Sequence, residues 1–442
     1  MNSQLCPCCA FLTGGNLFLP WNDDEVNSDG LESNMSGDGH LSSSTVEDIL
    51  TPSEAWDRIS TTKNGARDAD TTEHHKILLV DTHGHPHLER EVQYADKIDN
   101  DAKTKPTDDK SVVSLTCGVS PLDWNDALNY ASQSQHILPA LGVHPWYLGD
   151  IMVDGINNID NINEDIGKYL KWDWLSDLET HLSKHPHLLV GEIGLCKMAR
   201  FVREFPKDKG GKATALQLQK LVFQKQLDLA AKWSRPITVH CVNAHGLFME
   251  VMTDTLKKAK ESCTETYDIT EAKIHWKKAF PPAIAMHSFI GTAHHVGEIL
   301  AFEKELLHPE EVESGGKRRR RKQKQERGEE CTSIQNEASP QKGQDEHQKE
   351  ILFYFGFSHS VNHIMCTSEK ARKKGSEAVR AIPPDRLLVE SDVHHPLDVL
   401  LGTAGAVAYA AQVREESLEE VAKHTTENGL RFLSSLGVPN TT

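Results

Sequence analysis

Two imidazoles stand two residues apart in Asp81-Thr82-His83-Gly84-His85, directly after an apolar run with strand character. On an extended chain, side chains at i and i+2 project from the same side, so His83 and His85 face one space together. The same kind of position recurs four more times. Glu192 lies in Val190-Gly191-Glu192-Ile193-Gly194, His240 closes Thr238-Val239-His240, His287 closes Ala285-Met286-His287, and Asp392 closes Glu390-Ser391-Asp392. Imidazole and carboxylate are side chains that hold transition-metal ions. Four imidazoles and two carboxylates at one mouth fill the shells of two divalent ions if Glu192 bridges them. Nitrogen-rich ligation suits Zn²⁺ or Mn²⁺ better than Mg²⁺, the alternative, which favours oxygen ligands and retained water. Taken singly, His287 or any other is more often a core or surface histidine than a ligand. Six ligand-type side chains at the same end of five strands are much harder to assemble by chance, and ionised carboxylates are not buried without partners. His74, His75, His394 and His395 flank the pattern and are expected to be structural, or to line the mouth without holding metal.

Eight short apolar runs position these residues: Ile77–Asp81, Val112–Cys117, Leu138–Val143, Leu188–Ile193, Ile237–His240, Ala283–Met286, Ile351–Phe357 and Leu387–Asp392. Their near-continuous apolar character fits parallel strands covered on both faces. Helical patterns intervene, such as the stripe of Leu218, Leu221, Val222, Leu229 and Ala230, and a final helix whose start is marked by Ser417 and Glu420 as a capping box. Eight alternating units predict an α/β fold of the (β/α)₈ TIM-barrel type, with its active site at the C-terminal ends of the strands. No Gly-rich phosphate loop follows the first strand, which argues against a nucleotide-binding fold.

Hydrophobic residues make up 38% of the 442 and charged residues 26%, lean for a chain folded throughout. Residues 1–75 are rich in Asp, Ser, Asn, Thr and Gly and are expected to be a mostly disordered tail preceding a barrel domain at 76–442. A polar insertion is expected at about 303–349, containing the basic run Lys317–Lys322; a solvated loop is favoured over a nuclear-import or nucleic-acid patch. The net charge of −17 argues against general nucleic-acid binding, though not against an enzyme that draws phosphate to bound cations. The nine cysteines form no spaced framework, as expected of reduced thiols in the cytoplasm or nucleus. Cys6, Cys8 and Cys9 cluster without a second ligand pair and read as part of an exposed tail. No run of 18 apolar residues or signal-peptide layout is present, so no membrane association is expected.

Several segments together resemble the TatD family of metal-dependent deoxyribonucleases, within the amidohydrolase superfamily. They are Asp81–His85, Gly142-Val143-His144-Pro145, Gly191–Leu195, Pro236–His240, His287–Gly291, Ile382–Asp392 and Thr425-Thr426-Glu427-Asn428, with the helical positions Gln219, Phe223, Gln226, Leu227, Leu229 and Ala230. The resemblance covers residues 76–442 apart from the insertion. It implies that His83, His85, Glu192 and Asp392 hold one metal, that Glu192, His240 and His287 hold the other, and that the substrate is DNA. The family commonly has Asp where this chain has Cys196, Arg where it has Val242, and Ala-Pro where Val393 and His394 follow Asp392. These departures, with Ala244-His245-Gly246 and Phe353–Ser358, resemble a eukaryotic, notably fungal, subgroup. On this reading Glu192 bridges two ions that activate water, Asp392 acts as general base, and His144 and His245 contact substrate. The competing readings are hydrolysis of another ester or an amide on the same barrel, and a protein that binds a partner through its tail or insertion with a vestigial metal site.

Overall fold

Every one of the eight apolar runs becomes a strand: β1 Leu79–Gly84, β2 Val112–Cys117, β3 Ile137–Leu141, β4 Leu189–Cys196, β5 Ile237–Val242, β6 Ile284–Met286, β7 Phe353–Ser358 and β8 Leu387–Glu390. The computed structural model describes residues 49–61, 79–90, 92–94, 112–153, 165–262, 269–307 and 350–436. The strands pair in chain order, all parallel. First and last meet just past their ends, where Asp392 N–H donates to the His83 carbonyl at 3.0 Å and His85 N–H to the Val393 carbonyl at 2.8 Å. The result is the expected (β/α)₈ barrel.

Helices cover the strands: α1 Pro52–Thr61, α2 Trp124–Ala131, α3 Asp173–Lys184, α4 Arg200–Glu204, α5 Gly211–Trp233, α6 His245–Ser262, α7 Ile269–Lys278, α8 Ala293–Leu307, α9 Glu369–Ala381, α10 Val399–Arg414 and α11 Leu418–Leu433. On α5 the buried set includes Leu218, Val222, Leu229 and Ala230 of the stripe read from sequence. The start of α11 is capped as expected, with Ser417 Oγ accepting from Glu420 N–H at 3.2 Å. Further along α11, Asn428 donates to the carbonyls of Pro384 and Leu387 at 2.7 and 2.9 Å, fixing this helix to the entry of β8. The stretch Pro396–Arg414, containing α10, is apolar enough to span a membrane by length and composition, but most of it is buried within the barrel.

Two expected boundaries shift. Residues 52–61, placed in the tail, form α1, and its buried Ala55 and Ile59 pack with the core; two apolar side chains one turn apart were too short a pattern to read. The insertion begins later than residue 303, because α8 continues to Leu307 with Glu303 and Leu306 buried. Glu303 is drawn inside by a partner distant in sequence. Its carboxylate pairs with Arg386 Nη2 at 2.5 Å and accepts from the N–H groups of Leu352 and Phe353 at 2.9 and 2.8 Å. The rest of the predicted tail and insertion, including Cys6, Cys8, Cys9, His74, His75 and Lys317–Lys322, lies outside the described residues.

Candidate metal centre

Glu192 stands at the centre of the barrel mouth, on a strand buried along its whole length. The glycines of Gly191-Glu192-Ile193-Gly194 let β4 lie unusually close to β5. A Cβ on Gly191 would sit 2.1 Å from Thr238 Cγ2, and one on Gly194, whose φ is +152°, would sit 1.9 Å from the His240 carbonyl oxygen. Five imidazoles converge on the Glu192 carboxylate. His240 Nδ1 and His287 Nε2 lie 2.9 Å from it, His85 Nε2 and His144 Nε2 3.2 Å, and His83 Nε2 3.5 Å. Asp392 flanks the cluster, with Oδ1 3.9 Å from His85 Nε2 and Oδ2 accepting from Ser288 Oγ at 3.0 Å. Its φ of 51° shows β8 turning sharply at this residue, a conformation Asp tolerates better than most.

Outer partners decide which ring nitrogen faces the centre. His85 Nδ1 lies 2.7 Å from the Cys117 carbonyl and His287 Nδ1 3.2 Å from Glu390, so both hold a proton on Nδ1 and turn Nε2 towards Glu192. Burial would lower both imidazoles, but the Glu192 carboxylate outweighs it and pushes both up, His287 well above its ordinary value. His83 Nδ1 meets Thr238 Oγ1 at 2.9 Å, leaving its Nε2 buried without a hydrogen-bond partner. His144 is oriented the other way. Its Nδ1 accepts the Trp146 N–H at 3.2 Å, so the neutral ring carries its proton on Nε2 and donates it to Glu192. The ring is fixed from α5: Gln219 donates to the Pro145 carbonyl at 3.1 Å, and Gln226 grips Val143.

Burial by itself would raise the Glu192 carboxyl, but the imidazoles set around it, His144, His287 and His83, hold it well below the usual range. Burial pushes His83 well below its ordinary value, with the charge of His287 adding to the effect, and takes His144 down to about 4. Asp392 is raised to about 6, again chiefly by burial. Among the described residues, three groups have ligand atoms mutually within 4.8 Å: His83/His85/Asp392, His83/Glu192/His287 and His144/Glu192/His240. A buried carboxylate ringed by imidazole nitrogens, and a buried unpartnered His83 Nε2, are what divalent ions would complete. The donor set fits the metal.

The structure thus gathers His83, His85, Glu192, His240, His287 and Asp392, and adds His144. His245 is not among the imidazoles that converge on Glu192. It is buried at the start of α6, stacked on His295 at 4.2 Å, with Nε2 unpartnered. Sequence reasoning missed Glu390, which also accepts the Ser288 N–H, although its place two residues before Asp392 on β8 was a usable signal. It also passed over Asp81 as a brace. The Asp81 carboxylate accepts from Ser391 N–H at 2.7 Å and Ser391 Oγ at 2.6 Å, joining β1 to the exit of β8.

A model of the family described as TatD related DNase matches residues 80–434. The Cut9-interacting protein scn1 of Schizosaccharomyces pombe is 22% identical over 368 residues, covering 75% of this chain and 89% of that protein. The uncharacterized metal-dependent hydrolase YabD of Bacillus subtilis is 24% identical, covering 80% and 98%. The uncharacterized deoxyribonuclease YMR262W of Saccharomyces cerevisiae is 26% identical over 198 residues, covering 38% and 63%. Among solved structures, an uncharacterized amidohydrolase from Saccharomyces cerevisiae is 13% identical with a TM-score of 0.48, covering 80% of this chain and 99% of that one. With its family match spanning the barrel from β1 to α11, the chain belongs to the TatD-related deoxyribonuclease family, a family of metal-dependent hydrolases.

Proposed function

We propose that this hydrolase cleaves phosphodiester bonds of DNA at a centre of two divalent ions, Zn²⁺ or Mn²⁺ ahead of Mg²⁺. His83, His85, Glu192 and Asp392 would hold one ion and Glu192, His240 and His287 the other. The observation that carries the reading is the Glu192 carboxylate ringed by imidazole nitrogens, two of them turned towards it by Cys117 and Glu390. When bound, such ions acidify a coordinated water and draw charge from a phosphoryl oxygen. Asp392 has its Oδ2 tied to Ser288 and its Oδ1 on the His85 side, within reach to take the attacking water's proton. His144, kept neutral, offers its Nε2–H to Glu192 or to a substrate oxygen. His245, further out, would meet a more distant part of the substrate.

The family's character supports a nucleic-acid substrate, and the buried free thiols Cys117, Cys196 and Cys241 support a reducing compartment, cytoplasm or nucleus. A second role, protein binding through the tail or the insertion, is supported by the fission-yeast relative named for its interaction with Cut9. The test of the main reading is elemental analysis of the purified protein joined to a DNA-cleavage assay in Zn²⁺, Mn²⁺ and Mg²⁺. We expect metal-dependent cleavage that Glu192→Gln abolishes. Undiminished cleavage by Glu192→Gln, or a metal-loaded protein inert on DNA, would overturn it.

A further inference from the structure

Arg90 lies on the loop after β1, at the rim of the same mouth. A turn at Pro86–Leu88 and a left-handed Glu89, with φ of 46°, bring the chain back across the opening, where Arg90 N–H donates to the His394 carbonyl at 2.8 Å. The His394 ring in turn stacks on His85 at a centroid distance of 5.3 Å. The Arg90 backbone is thus tied to His394, whose ring packs on a candidate metal ligand, and the Arg90 charge acts on the buried His394. Its guanidinium makes no hydrogen bond or ion pair among the described residues, and Nη1 is buried without a partner. The side chain as a whole stays partly exposed and reachable from solvent.

A buried guanidinium nitrogen with no acceptor is unfavourable unless something fills the place. The planar fork of N–H donors matches the oxygens of a phosphate. Val242, two residues beyond His240 on β5, offers no such donor. We infer that Arg90 binds a substrate phosphate next to the one that the metal centre acts on, making the site selective for substrates with a second phosphate. This rests on the phosphodiesterase reading of the centre and names an element of its substrate. Arg90 is absent from the imidazole and carboxylate groups gathered around Glu192, which assigns the arginine to the neighbouring phosphate and not to the reacting one.

The experiment compares the metal-loaded full chain with Arg90→Gln and Arg90→Lys on dithymidine monophosphate and on the same compound carrying a further 5′ or 3′ phosphate. Because it removes a charge-assisted hydrogen bond, Arg90→Gln should raise KM for one of the phosphorylated compounds roughly tenfold to a hundredfold. Its kcat, and both constants for the compound without the extra phosphate, should hold. Arg90→Lys should recover only part, since an ammonium lacks the fork. Pyrophosphate binding by calorimetry, with metals chelated, is measured on the same proteins. Intact cleavage with no dependence on Arg90 in either measurement overturns the inference and leaves the phosphodiesterase reading standing. Arg90-dependent pyrophosphate binding by a protein that cleaves no nucleotide upholds the phosphate site and overturns the DNA reading. Neither cleavage nor pyrophosphate binding overturns both. A lowered melting temperature in Arg90→Gln with unchanged binding marks the arginine as structural and overturns the inference.

Discussion

The side-chain amide of Gln226 closes both hydrogen bonds of Val143, accepting from its N–H at 2.7 Å and donating to its carbonyl at 3.1 Å. β3 ends at Leu141, so no neighbouring strand serves Val143, and a helix side chain takes that place. The next residue is His144, and its aim at Glu192 depends on this grip. Gln219, two turns earlier on α5, does the same for the exit of β4, accepting from Cys196 N–H at 3.0 Å and donating to its carbonyl at 3.2 Å.

Gln226→Ala should therefore destabilise the fold by about 2–4 kcal/mol, since it leaves two buried backbone groups unpaired and opens a small cavity. Urea denaturation at pH 7 measures this. A change under about 0.5 kcal/mol would show that the loop finds other partners.

Metal content follows from the donor set. The purified chain should carry up to two transition-metal ions, and His83→Ala with His85→Ala should remove at least one. Metal at 100 times its Kd should also stabilise the wild type by about 2.7 kcal/mol per site. Elemental analysis and melting curves with and without chelator check both. No metal after careful reconstitution would refute the centre.

Glu390 touches no metal position directly, yet it fixes His287 through Nδ1. Glu390→Gln keeps the shape but weakens the hold on that proton, and should lower metal affinity roughly 10- to 100-fold. Competition with a chromophoric chelator reads the change. Unaltered affinity would mean that the packing around His287 is enough.

Stability should fall as the medium is acidified through the range below pH 6.5. Burial pushes His359 down to about 4, with the charge of His363 adding, and His245 falls to about 4 by burial and the charge of His295. In the unfolded chain these rings regain their ordinary values. Between pH 6.5 and 4 the unfolded state therefore binds more protons, and the stability present above 6.5 is lost as pH falls. Each ring contributes on the order of 3 kcal/mol. His359→Gln should flatten the difference in unfolding free energy between pH 7 and pH 5, and a slope equal to that of the wild type would contradict the assignment.

The strands were legible because buried parallel strands impose continuous apolar runs, and each of the eight expected runs overlaps its strand, as Val112–Cys117 does from end to end. The side chains gathered at the mouth were legible because most lie in or just beyond the C-terminal half of their own strands; Glu192, fourth of the eight residues of β4, is the exception. The boundaries at α1 and Glu303 were not, for opposite reasons. Ala55 and Ile59 make too short a pattern to stand out, and Glu303 is polar in sequence but made internal by Arg386.

What the sequence alone determined is thus the barrel, and the identity of the side chains at its mouth, because both are set by local periodicity and strand position. What only the tertiary structure decided is the work each imidazole can do. The proton of His85 is set by the carbonyl of Cys117, that of His287 by Glu390, and that of His144 by the N–H of Trp146. The first two partners lie 32 and 103 residues away along the chain. A ring nitrogen offers a lone pair or a proton according to the hydrogen bond made by the other nitrogen, and partners so remote meet only once the barrel has closed.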